Sequence, residues 1–325
     1  MAKSNAIEDA LAALKALRGK PVTDETRRQL AKGLESRANI IAARAAELVQ
    51  ELRVIDLEPD LQRSFERFHS GAAQDKAYIA QVAIAKAAVE LGLRAEGIFL
   101  AGVQSVPAGL GFGDSSDAAA ELCGLCITGL CQMGHREACN EAIDLLMHRK
   151  PHLRVAAARA LGVSRRDEAA LVLRLKLLSG DRDGDVLAEC LHSLARIWPQ
   201  KSVRYIAAFL NSSDRVVREN AALALAATRQ REAFERLNEH WRLGGVRAES
   251  RPAVLLAIAM TRFPEALELL LSVVSSGKPD AAADALEAVA MYRHDESARA
   301  KIEAAVKQRD DPALHRAFIN AFRTA

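Results

Sequence analysis

The feature that most constrains the fold is a nine-residue frame that returns at a nearly fixed interval. Residues 153–161 read Leu-Arg-Val-Ala-Ala-Ala-Arg-Ala-Leu, and residues 217–225 read Val-Arg-Glu-Asn-Ala-Ala-Leu-Ala-Leu. Both fit V/L-R-x-x-A-A-x-A-L, and the frame accepts 122–130, 186–194, 250–258, 281–289 and 314–322 with substitutions. Its first positions are 122, 153, 186, 217, 250, 281 and 314, so the spacing alternates between 31 and 33. Repetition with a period of roughly 20–50 residues marks an array of one supersecondary unit. Counted from zero, frame positions 0, 4, 5, 7 and 8 are apolar or small and fall on one helical face. The small Ala pair lets neighbouring helices approach closely.

Between the copies lies a second apolar helix, at 168–178, 201–210, 232–241, 264–274 and 296–307. Turn residues separate the helices: Ser212-Ser213-Asp214, Gly244-Gly245, Gly277-Lys278-Pro279 and Asp310-Asp311-Pro312. One helix pair cannot bury its apolar face alone, so pairs must stack. The expected fold class is all-α, a right-handed α-solenoid of about eight stacked helix pairs, a HEAT/armadillo-like superhelix. Composition agrees, because 50% of the chain is hydrophobic yet only 4% is aromatic. Ala and Leu supply the bulk, which favours close-packed helices over a β-sandwich. So few rings also weigh against a stacking platform for single-stranded nucleic acid.

The pattern resembles HEAT repeats, specifically the short Ala-rich type associated with phycobilisome lyases. The resemblance is clearest over 118–325 and looser at 83–91 and 40–48, where the spacing widens. The expected organisation is a capping helix within 1–20, with Asn5 as N-cap and Glu8 three residues on. Irregular helical repeats follow over 21–101, then a Gly-rich insertion over 102–117, then regular repeats over 118–325 in one continuous solenoid. In HEAT-like solenoids the second helix of each pair lines the concave face. The resemblance therefore implies a groove whose polar centre is Arg159, Glu189, His192 and Asn220, with Arg196 one turn on. Such a groove suits an apolar or helical peptide anchored by a few charge pairs. The alternative is an interhelical salt-bridge ladder with no ligand.

Charge is balanced overall, at a net +3, but not locally. Residues 76–145 carry four basic and eight acidic side chains, whereas 146–180 carry eight basic and two acidic. Arg149, Lys150, Arg154, Arg165 and Arg166 are thus candidate anion ligands, with Arg159 beside them. Against that, Arg154 shares the frame's arginine position with Arg218 and Arg251, where it braces neighbouring turns. A single patch of this size is also modest for tracking a duplex. In the insertion, Val106, Leu110 and Phe112 are expected to pack inward as a loop covering the groove; the alternative is a plain linker. Gly109, Gly111 and Gly113 lack a preceding strand and a following Lys, so a phosphate-cradling loop is disfavoured.

Cys123, Cys126 and Cys131 share a helix, but the third diverges from the other two, so no zinc site and no cofactor is expected. His148 and His152 have metal spacing only on a helix, which Pro151 opposes. None of the eight histidines precedes a Glu, unlike the repeated His-Glu pairs of the deoxyhypusine hydroxylases. No nucleophile-elbow or P-loop motif occurs, and no lyase catalytic residue maps onto this sequence. HEAT-fold alkylpurine glycosylases are the other enzyme precedent, with only Trp198 and Trp241 as possible site walls. The odd count of five cysteines, with neither an export signal nor a membrane span, indicates a cytoplasmic protein. The reading is a cytoplasmic, bacterial, non-enzymatic scaffold with a protein partner. The rivals are a polyanion or nucleic-acid binder through 146–180 and a lyase-like or glycosylase-like enzyme in the same groove.

Overall fold

The computed structural model of the chain describes residues 2–105 and 117–322. Among these residues there are 19 α-helices and no strand. The chain divides into two compact units, 1–169 and 170–325, each taken by itself below.

The first unit contains α1 (Ala2–Lys15), α2 (Asp24–Leu34), α3 (Asn39–Glu51), α4 (Glu58–His69), α5 (Ile79–Glu90) and α6 (Glu96–Val103). It continues with α7 (Asp117–Met133), α8 (Ala138–Leu146) and α9 (Pro151–Ser164). The odd-numbered helices form one layer, in which α3 packs on α5, α5 on α7 and α7 on α9. In the other layer α2 meets α4, and α4 meets α6. Helix α1 starts at Ala2, so Asn5 lies inside it and not at its N-cap: Ala and Lys are good helix formers and carry the first turn further back. Thr23 supplies a genuine cap for α2, accepting a hydrogen bond from the Thr26 amide at 3.2 Å. The expected covering residues Val106, Leu110 and Phe112, and the glycine run around them, lie outside the described residues.

Helix α10 (Asp167–Ser179) leads into the second unit. There follow α11 (Gly184–Ile197), α12 (Val203–Ala207), α13 (Arg215–Ala227), α14 (Arg231–Arg242) and α15 (Arg251–Met260). The unit ends with α16 (Pro264–Ser276), α17 (Pro279–Val289), α18 (Glu296–Arg309) and α19 (Pro312–Ala321). Again one layer is the odd series, each of α11, α13, α15, α17 and α19 packing on the next. The frame copies from 186 onward fall on or at the ends of these helices, and their positions 0, 4, 5, 7 and 8 build the core: Val217, Ala221, Ala222, Ala224 and Leu225 are all buried, as are their counterparts in the copies at 186, 250 and 281. In the last copy Ile319 is exposed. Each unit is thus a stack of helix pairs, the all-α solenoid arrangement that the repeat requires.

The frame's arginine recurs as a brace. Arg218 is 2% exposed and donates through Nη1 to the carbonyls of Ser212 and Ser213, at 2.7 and 3.3 Å. Its Nε donates to Ser250 Oγ at 3.1 Å, and its Nη2 to Glu249 Oε1 at 2.9 Å. Arg251 pairs with Asp284 on the next helix of the layer. Elsewhere Arg67 donates to Leu34 O at 2.9 Å and Arg309 to Gly277 O at 2.7 Å, each satisfying carbonyls at the end of an earlier helix.

Candidate partner-binding surface

Helix α10 reads Asp-Glu-Ala-Ala-Leu-Val-Leu-Arg-Leu-Lys-Leu-Leu-Ser, apolar on every side. A helix of that kind cannot bury all its faces against one layer. Ala169, Ala170, Leu173 and Leu177 are buried, whereas Leu171, Leu175 and Leu178 are 57%, 65% and 73% exposed. These three stand at i, i+4 and i+7, so they form one continuous stripe along the helix. The helix's two cations are engaged elsewhere. The Arg174 guanidinium lies 4.0 Å from the Tyr205 ring centroid, and Lys176 pairs with Asp181 at 2.8 Å with both side chains nearly buried. Three leucines in a row at the surface are unusual, since contiguous exposed apolar patches mark interaction sites far more often than single exposed residues do. In the sequence the repeat marks 168–178 only as the helix between frame copies, which says nothing about which of its leucines stay uncovered. The missing signal was an apolar helix with no polar face.

Of the expected groove residues, Arg159 sits on α9 in the first unit, and Glu189, His192, Arg196 and Asn220 lie on α11 and α13 in the second. Within the second unit His192 Nε2 and Asn220 Oδ1 are 2.9 Å apart, a hydrogen bond in which the ring N–H donates. The Asn220 amide nitrogen donates in turn to Val216 O at 2.9 Å. Glu189 Oε1 accepts from the buried Ser193 hydroxyl at 3.3 Å. Arg196 is exposed and has no ion pair among the described residues. The structure therefore joins His192 to Asn220 directly, while Glu189 and Arg196 flank them on α11.

The basic window is more engaged than its charge suggests. Lys150 Nζ pairs with Asp117 at 2.8 Å, which holds that carboxyl below the usual range. Arg166 lies 3.5 Å from Glu168, and this contact raises the guanidinium's pKa and helps lower that of the carboxyl. Arg154 is buried and donates through Nη1 to His148 O and Arg149 O, at 2.8 and 2.9 Å. Arg149 and Arg165 are exposed, Arg165 with a left-handed φ of 53° at the end of α9. Burial lowers the His148 pKa, with Lys150, His152, Arg149 and Arg154 adding to the effect.

The cysteines are quiet. Burial pushes the Cys123, Cys131 and Cys190 thiols up to about 12 and Cys126 well above its ordinary value. Cys123 Sγ donates to Val103 O at 3.7 Å and Cys126 Sγ to Ile98 O at 3.8 Å. Among the described residues no three His, Cys, Asp or Glu side chains converge as a metal site needs. No helix among them is long and apolar enough to cross a membrane.

Paired helices, a layered Ala-rich core and polar braces between successive repeats define an all-helical repeat protein. Residues 171–249 match the family of HEAT repeats, in agreement with the resemblance carried by the frame. Among solved structures, a chain of the CpcE–CpcF complex of phycocyanin lyase from Nostoc sp. PCC7120 is similar at 16% identity, with a TM-score of 0.39 over 94% of this chain and 95% of that one. Human deoxyhypusine hydroxylase in complex with glycerol is similar at 19% identity, with a TM-score of 0.34 over 83% of this chain and 98% of that one. No curated protein sequence matches.

Proposed function

We propose that this chain is a non-enzymatic scaffold that holds a protein partner, anchored on the leucine stripe of α10. The observation that carries the reading is the exposure of Leu171, Leu175 and Leu178 in one row. Helix-in-groove and helix-on-helix recognition use anchors at this i, i+4, i+7 spacing, so the partner element is an amphipathic helix presenting an apolar ridge. Glu189, His192, Arg196 and Asn220 form the second surface, where polar contacts set register. Because His192 and Asn220 already bond to each other, a partner there gains less than at the leucines. The engagement of Lys150, Arg154 and Arg166 with the protein itself weighs against a polyanion role for the basic window.

The test is a photo-crosslinking amino acid at Leu175, used in the native host, in the parent chain and again in the double variant Leu171→Glu/Leu178→Glu and in Glu189→Ala/His192→Ala, with the crosslinker kept at position 175 throughout. Loss of one discrete crosslinked partner in the leucine variant supports the reading. An unchanged set of copurifying proteins in both variants refutes it.

A further inference from the structure

The second unit holds a cavity of about 440 Å³ where the end of α14 faces α12 and the 3₁₀ turn Ala208–Asn211 that follows it. It exists because α12 is only five residues long, and its last residue, Ala207, and the first of the 3₁₀ turn, Ala208, stand where longer side chains would fill the space. On the opposite side α14 ends in a Schellman motif. The Gly245 amide donates to His240 O and the Gly244 amide to Trp241 O, both at 3.1 Å, with Gly244 at φ +70°. A Cβ on Gly245 would stand 2.7 Å from His240 Nδ1, so only glycine lets the imidazole take its place in the wall.

His240 is 9% exposed, and its ring has no hydrogen-bond partner among the described residues. Its ring nitrogens are therefore free to bond to what enters the cavity that the ring lines. Burial and the nearby Arg218 hold its pKa below the ordinary value, so at neutral pH it offers one N–H donor and one acceptor. Two exposed guanidinium groups line the same cavity. Arg204 lies against the Tyr205 ring, and Arg236 is held loosely by Glu232 and Glu239 at 3.5 and 3.7 Å. Leu210 and Leu243 complete an apolar wall, Leu243 being 78% exposed. Among the lining side chains Arg204 and Arg236 stand against Glu239, and Glu232 reaches Arg236 from just outside the cavity, so the site favours one negative charge at most and disfavours a dianion.

We propose that this cavity binds a small organic monocarboxylate, its carboxylate held by Arg204 and Arg236, its polar edge on His240, and its apolar body on Ala207, Leu210 and Leu243. The site is independent of the α10 stripe and of partner binding. The experiment is a ¹⁹F-detected titration of the full chain with 4-fluorobenzoate, with 4-fluorobenzamide as the neutral isostere. Saturable binding of the benzoate is expected, with the benzamide at least tenfold weaker. Arg204→Gln and Arg236→Gln should each weaken the benzoate by about tenfold, the loss of one charge-assisted hydrogen bond. Both arginines are exposed, so the variants should keep the parent's melting temperature, which is checked in parallel. Acetate should displace the probe only at about tenfold higher concentration than benzoate, because it lacks the apolar body. Equal binding of benzamide, displacement by inorganic phosphate as readily as by benzoate, or unchanged affinity in both arginine variants overturns the proposal.

Discussion

Replacing Arg218 with Met removes four donor contacts at once while keeping most of the aliphatic stem that packs in the core. Each net hydrogen bond is worth about 1 kcal/mol, and the buried Ser250 hydroxyl loses a partner. Glu249 is 46% exposed and recovers water when the pair is broken, which takes its ion pair down to the surface range of about 0–1 kcal/mol. The balance is a loss of about 3 kcal/mol. In a unit of this size each kcal/mol moves the melting temperature by about 2–4 °C, so a fall of about 6–12 °C is expected. The assay is urea and thermal unfolding of the full chain by circular dichroism, with Glu249→Gln measured beside Arg218→Met. Glu249→Gln should cost under about 1 kcal/mol, because the Glu249 end of the pair is at the surface and the glutamine amide oxygen can still accept from Arg218. An Arg218→Met midpoint indistinguishable from the parent, or a Glu249→Gln loss equal to it, refutes the assignment of the brace to the turn carbonyls.

Gly129→Ala places a methyl 2.5 Å from the buried Phe99 ring and should cost about 1–3 kcal/mol by overpacking, read as a lower urea midpoint. Arg165→Gly relieves a left-handed φ at the end of α9 and should raise that midpoint; a decrease would show that the arginine's contacts outweigh the strain. At pH 8 a thiol reagent should label Cys139 readily in the native protein and the four buried cysteines only after denaturation; fast labelling of a second native thiol contradicts their burial. Stability should fall on acidification. His148 and His240 have folded pKa values below their unfolded ones, so their contribution is full above about pH 6.5 and is lost as pH falls through the lowered values. The paired carboxylates of Asp117, Glu265 and Glu303 act with the same sign at lower pH, and His240→Gln should flatten the slope between pH 6.5 and 5.

The frame made the odd helices legible because Ala pairs and flanking Leu or Val state both the period and the buried face. Residues 153–161, 186–194 and 217–225 fall inside α9, α11 and α13, and their apolar positions are buried. Intervening helices were harder to bound. The segment read as one helix over 201–210 is a five-residue helix followed by a 3₁₀ turn, since hydropathy does not distinguish those two ladders. The expected polar groove was legible only as residue types. That His192 bonds to Asn220 depends on the offset between neighbouring helices, which no single-chain pattern encodes. The α10 stripe and the His240 wall were illegible for a related reason. Exposure of a leucine, or the seating of an imidazole on Gly245, is a property of what fails to cover a position.

The braces between repeats share one measure that bears on how the chain folds. Arg67 to Leu34, Arg218 to Glu249, Arg231 to Glu265, Arg251 to Asp284, Tyr292 to Ala259 and Arg309 to Gly277 all span 31 to 34 residues. Each polar tie reaches the adjoining repeat and stops there, so the entropy of closing each loop stays nearly constant along the array. Order in such a chain can start at any well-formed neighbouring pair and advance outward like a zipper, and damage at one tie weakens its own junction first. A lesion at Arg218 should therefore loosen the α13–α15 junction in hydrogen exchange before it is felt at α19.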